Sequence, residues 1–220
     1  MLTTRTYRRF LLVWLFLIVA TSLPSSSNPN ANERASSAPV RYRLEPGQSR
    51  FIVKVFVGGF LKAFGHDHNI AIRDFTGEVQ VTPDSIAPAS LQMTIKADSL
   101  AVTDKVSESD RRKIEQTMRD EVLETQKYPV ITFKSTNSAV AKTGDGNYDF
   151  KLWGQLTMHG VTGDTYIVGK LAMAGNTLRA TGGFPLYLND YKLKQVSVAG
   201  GSIKVKNEIK FSFDLVAQRQ

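Results

Sequence analysis

Four stretches of this chain alternate inward and outward residues with a period of two, and that period leaves few folds open. Phe51, Val53, Val55 and Val57 alternate with Ile52, Lys54 and Phe56. Leu91, Met93, Ile95 and Ala97 are interleaved with Gln92, Thr94, Lys96 and Asp98. Tyr148, Phe150, Leu152, Gly154, Leu156 and Met158 alternate with Asp149, Lys151, Trp153, Gln155 and Thr157. Ile209, Phe211, Phe213 and Leu215 alternate with Lys210, Ser212 and Asp214. Successive side chains of a strand point to opposite faces, so these runs are strands with one face on a core and one in water. Buried parallel strands would read as continuous apolar runs, so the sheet is antiparallel. Turn chemistry separates the runs at Thr143-Gly-Asp-Gly-Asn147, Ala174-Gly-Asn176 and Ala199-Gly-Gly-Ser202. The spacing predicts an all-β domain of about eight strands. Closure into an up-and-down barrel removes exposed edges, and a barrel of about eight strands can enclose one small ligand. A β-sandwich with a packed core is the structural alternative.

One segment breaks the pattern. Residues 107–124 have no alternation and are rich in helix formers. Ile114, Met118 and Val122 fall four apart and give a narrow apolar stripe. Ser107 with Asp110 resembles a capping box, and Pro129 ends the segment and opens the next strand. The helix is expected to pack over a barrel end.

The N-terminus has a different character. Arg5, Arg8 and Arg9 precede an unbroken apolar run from Phe10 to Ala20, with small residues at Ala20-Thr21-Ser22. That is the layout of a cleaved signal peptide over 1–22, and the run is short of the roughly 20 residues that span a bilayer. Residues 23–40 are a Ser/Asn/Pro mixture that cannot bury enough apolar surface to order itself, so a disordered linker is expected there. The barrel domain is expected over 41–218. An exported chain reaches an oxidising compartment, yet this one has no cysteine. Disulfides, thiolate metal sites, Cys nucleophiles and an N-terminal lipidated Cys are therefore excluded. The destination expected is the periplasm or the exterior.

Without residues 1–22 the chain carries 25 basic and 20 acidic side chains, a net +5. The excess is confined to 170–220, where 8 basic residues face 3 acidic ones. Lys192, Lys194, Lys204, Lys206 and Lys210 supply most of it. Such a face is either a solvated strand surface or a docking site for an anionic membrane or phosphate head group. The lysines are not interleaved with aromatics in a nucleic-acid motif, so no nucleic-acid partner is expected.

Three segments together carry a resemblance. Leu156-Thr-Met-His-Gly-Val-Thr162 matches the LTxHGVT signature of the YceI-like family. Lys127-Tyr-Pro-Val-Ile-Thr-Phe-Lys-Ser135 follows the helix as in that family, and Asp74-Phe-Thr-Gly-Glu-Val79 resembles its early F-x-G strand. The likeness runs from about Arg41 to Ala217. It implies a bacterial, usually periplasmic protein with a lipocalin-like barrel that holds a polyisoprenoid or other long-chain lipid. There are departures. Many members have an Arg-Asp pair before the helix and a Phe-Phe pair near its end, where this chain has Arg111-Arg-Lys-Ile114 and Val122-Leu123. Phe64-Gly-His-Asp-His-Asn-Ile70 stands where many members have a single His, which marks a subgroup.

Three classes of function follow. A lipid carrier needs inward apolar residues, and Met93, Ile95, Phe133, Phe150, Leu152, Leu156, Phe211 and Phe213 are the candidates; the alternative is that they fill the core by packing on one another. A metal site needs convergent ligands. His66 and His68 share a face if extended, and His159 or Asp67 is the third candidate. The structural alternative is a tight turn at Gly65-His-Asp-His and a strand end at His159. An interaction protein would use the basic C-terminal strand face. No Ser elbow, His-Glu-x-x-His, phosphate loop or cofactor fingerprint is present, so neither catalysis nor a cofactor is expected. The partners expected are a long-chain lipid and an anionic membrane surface, with a homodimer left open.

Overall fold

The alternating runs become staves of one antiparallel sheet that closes on itself. The computed structural model describes residues 38–59, 65–82 and 86–220. The expected signal peptide, nearly all of the expected linker and Phe64 lie outside the described residues. The strands are β1 (Val40–Leu44), β2 (Arg50–Gly58), β3 (His68–Ile72), β4 (Phe75–Val81), β5 (Ser90–Lys96), β6 (Leu100–Val102), β7 (Val130–Gly144), β8 (Asn147–Met158), β9 (Val161–Ala174), β10 (Thr177–Tyr187), β11 (Ser197–Val198) and β12 (Ile203–Arg219). Three staves are interrupted. β1 and β2 are parted by a 3-10 turn at Pro46–Gln48, β3 and β4 by Arg73 and Asp74, and β5 and β6 by a 3-10 turn at Ala97–Ser99. Both halves of each stave keep the same neighbour: β1 pairs with β4 and β2 with β3, then β4 with β5 and β3 with β6. These three staves with β7, β8, β9, β10 and β12 make eight, each antiparallel to the one before. β12 pairs with β10 on one side and with β1 and β2 on the other, which closes the ring. The fold is thus the eight-stave meander barrel, not the sandwich.

Inward residues repeat every second position, and one cross-strand row shows how they fit. Phe150, Gly169, Gly182, Phe213 and Phe51 are successive register partners from β8 round to β2. The two glycines leave room for flanking rings. A Cβ on Gly169 would lie 3.0 Å from the Phe150 ring and 2.3 Å from the Thr181 carbonyl oxygen. A Cβ on Gly182 would lie 2.8 Å from the Phe213 ring and 2.2 Å from the Val168 oxygen. Gly154 gives way to Phe133 in the same manner, at 2.6 Å. Large rings are therefore laid against the wall over glycine backbone.

Helix α1 (Glu108–Thr117) continues as a π-helical turn at Met118–Val122. The Ser107 hydroxyl accepts from the Asp110 backbone N–H at 3.1 Å, which is the expected cap. The helix sits at the barrel end where β6 stops short of β7 and leaves Val102 without a ladder partner on that side. Side chains of α1 supply the missing bonds: Val102 N–H donates to Glu115 Oε1 at 3.0 Å, and Arg111 donates to the Val102 and Asp104 carbonyls.

Gly182→Ala should destabilise the barrel by about 1–3 kcal/mol, the usual cost of overpacking. Gly47→Ala, with nothing within 4 Å of its Cβ, should stay within about 0.5 kcal/mol of the parent. Denaturant melts of both variants check this.

Candidate functional site

The inward side chains do not meet across the barrel axis; they line a cavity of about 720 Å³. The eight apolar residues named as lipid-site candidates all line it: Met93 and Ile95 from β5, Phe133 from β7, Phe150, Leu152 and Leu156 from β8, and Phe211 and Phe213 from β12. The sequence reading missed other lining residues, among them Phe51, Ile167, Phe184 and Leu188. Phe184 lies in β10 next to Gly182, Gly183 and Pro185, where no alternating run marks a strand. Helix residues Ile114, Met118 and Val122 turn their stripe into the same space. Phe150, Phe184 and Phe211 point inward yet are only half-buried, because each keeps one face on the void. Phe184 and Phe211 are register partners stacked at 4.7 Å with parallel planes. The core is lined rather than filled.

The cavity opens at the helix end. Its lining residues with exposed side chains are His66, Asp110, Lys113, Lys194 and Val198. All five belong to that end: the approach to β3, helix α1, and the segment through β11 that precedes β12. Lining residues at the opposite end, such as Leu44, Val81, Leu178 and Ala217, are buried. Polar side chains thus gather at the mouth while the depth is almost wholly apolar, with Ser90 and Thr165 as the inner exceptions.

The histidines have separate tasks. His68 Nδ1 lies 3.2 Å from Asp104 Oδ2, and Asp104 also accepts from the Asn69 backbone and side chain at 2.8 Å each. Burial pushes the Asp104 carboxyl up, but the bonds from Asn69 and His68 outweigh it and hold the group below the ordinary carboxylate value. This knot ties the start of β3 to the segment after β6 at the mouth. Asp67 accepts from the Val57 N–H at 3.1 Å, and His66 is an exposed lining residue. His159 sits elsewhere, with Nε2 2.7 Å from Glu124 Oε2, Nδ1 3.3 Å from the Tyr191 carbonyl and its ring 4.6 Å from that of Tyr128. Among the described residues no group of three His, Asp or Glu could hold a metal.

Residues 42–217 match the family model of the YceI-like domain. The chain belongs to the YceI-like family. Solved structures of similar fold include BcnA of Burkholderia cenocepacia, 21% identical over 80% of this chain and 99% of that one, TM-score 0.60. A polyisoprenoid binding domain from Saccharophagus degradans, implicated in plant cell wall breakdown, is 15% identical over 82% and 99%, TM-score 0.58. The Campylobacter jejuni YceI protein is 19% identical over 69% and 84%, TM-score 0.50. No curated protein matches the chain.

The YceI-like signature is largely architectural here. His159 and Gly160 both have positive φ, 51° and 73°, and form the two-residue turn between β8 and β9. Thr157 and Thr162 face each other beneath it at 2.8 Å, and Glu124, just past the helical segment, is latched onto that turn through His159. Leu156, Ile131 and Phe133 of the same motifs line the cavity. Phe75 is buried, and Gly77 lets Leu44 approach to 2.6 Å of its would-be Cβ.

Asp104→Asn should lower stability by about 1.5 kcal/mol near neutral pH, the scale of bonds to a charged acceptor. Because the folded carboxyl titrates below its unfolded value, its contribution is present above about pH 4 and lost as pH falls through the folded pKa. The gap between parent and variant should therefore close on acidification, as read by denaturant melts across pH.

Proposed function

We propose that this protein is an exported binding protein that carries a long-chain apolar lipid, a polyisoprenoid or similar, inside its barrel. The observation that carries the reading is an unfilled apolar cavity with its polar groups gathered at one mouth. The Saccharophagus degradans neighbour, a polyisoprenoid binding domain, supports it, as does the signal-peptide pattern at 1–22 for export. The tail enters past helix α1 and lies against Leu152, Phe150, Phe184 and Phe211, covering the apolar surface these leave open. The head stays at the mouth near His66, His68, Asp110, Lys113 and Lys194. The cavity volume lies within the range of ligand pockets generally, about 300–1,000 Å³.

Burial contributes roughly 0.8 kcal/mol per CH₂, so ten carbons give a gross 8 kcal/mol. Association itself costs about 4–15 kcal/mol, so firm retention needs a longer chain than ten carbons. Polar recognition is secondary in such a site. A binding role fits a cavity whose depth is almost wholly apolar.

Binding of a chain-length series of fluorescent alkyl probes tests the reading. Affinity should rise by about fifteenfold per two methylenes until the cavity is full, and then level off. Leu152→Trp, which places an indole in the cavity, should move that plateau to shorter chains. Affinity independent of chain length would contradict the proposal. The intact mass of the same preparation reads export: a start near residue 23 is expected, and a retained Met1 would contradict it.

A further inference from the structure

One outer face breaks a rule of sheet design. Lys54 on β2 and Lys210 on β12 are direct register partners. Like charges directly opposite each other destabilise a sheet. The only ion pair to either lysine among the described residues is with Glu208, 3.6 Å from Lys210. Both ammonium groups instead stand over one ring, Phe56, at 5.4 and 5.7 Å from its centroid. Lys204 and Lys206 continue the face toward the helix end, with Lys206 running over Gly58. Neither has an ion-pair partner among the described residues, and all four lysines are exposed. One carboxylate and one ring serve four lysines, so the face keeps a net positive charge, and a local rule broken in this way points to a surface kept for function.

The position of the face says what it meets. The same strand ends that put Lys204 and Lys206 outside put Val57, Ile203 and Val205 inside, as the lip of the cavity mouth. Val198 stands on that lip, lining the cavity yet 54% exposed. A basic rim with an apolar point, continuous with an apolar opening, fits an anionic bilayer. Lysines meet the phosphates, while Phe56 and Val198 reach the interface below the head groups. An acidic protein would satisfy the lysines but gives no reason for the exposed Val198 at the opening.

We propose that the β2–β12 face, Lys54, Phe56, Lys204, Lys206 and Lys210 with Val198, docks the barrel mouth-first on an anionic membrane surface. A lipid can then pass between bilayer and cavity without crossing water. That passage rests on the carrier reading; docking itself does not.

Flotation of the purified protein with phosphatidylcholine vesicles, with and without about one third phosphatidylglycerol, tests it. The protein should float with anionic vesicles, far less with neutral ones, and come off as salt shortens the screening length. Each lysine near such a surface is worth about fivefold in partitioning, so the triple variant Lys54→Ala, Lys206→Ala, Lys210→Ala should lose about a hundredfold. Its barrel should melt no lower than the parent's, because the opposed charges are gone. Val198→Ser should lose a further severalfold. Equal binding to both vesicles, an unchanged triple variant, or capture only by a soluble acidic protein would overturn the proposal. A protein that docks on vesicles but retains no lipid would sink the carrier reading and leave docking standing.

Discussion

Closure at β12 is the constraint on which the rest of the structure depends. This strand is 17 residues long, enough to pair with β10 along one edge and with both halves of the first stave along the other. If it were left open, the interior would be the wet face of a sheet with two free edges. Once it closes, an eight-stave ring has an interior that side chains can either fill or line. The inward glycines decide between these outcomes. Gly154, Gly169 and Gly182 occupy core positions with no side chain, and the rings of Phe133, Phe150 and Phe213 lie down over them. Volume that would have been a packed core becomes a lined space.

Much of this was legible in the sequence because a period of two is a direct print of the pleat. Seven of the eight cavity residues lie in alternating runs, since β5, β8 and the later part of β12 keep strict phase, and Phe133 lies in the segment 127–135. Where phase slips, the reading weakens. A bulge between Ser135 and Asn137 shifts the register of β7, so Val140 faces the cavity from a position that alternation does not predict. The interruption at Ala97–Ser99 hid β6, a three-residue strand too short for any periodic signal. Whether the interior is filled was not legible at all, because it depends on ring orientations across strands far apart in sequence.

His159 shows the opposite case. Its chemistry suggested a metal ligand, yet its place between two alternating runs, followed by Gly160, is that of a two-residue hairpin turn. Its ring is held between Glu124 and the Tyr191 carbonyl. The segment that carries the LTxHGVT signature therefore fastens the end of the helical segment to the barrel, and the helix in turn forms one side of the opening. His68 has a comparable role through Asp104, which precedes the helix as Glu124 follows it. The polar residues of the mouth hold its frame, and the apolar residues below supply the binding surface. Such a division suits a ligand recognised by length and apolarity more than by its head.

The most direct test is native mass spectrometry of the protein purified from its native source, followed by solvent extraction and identification of what is released. The account predicts one stoichiometric long-chain apolar species per barrel. A stable barrel that arrives empty and takes up no long-chain lipid when offered one would contradict it.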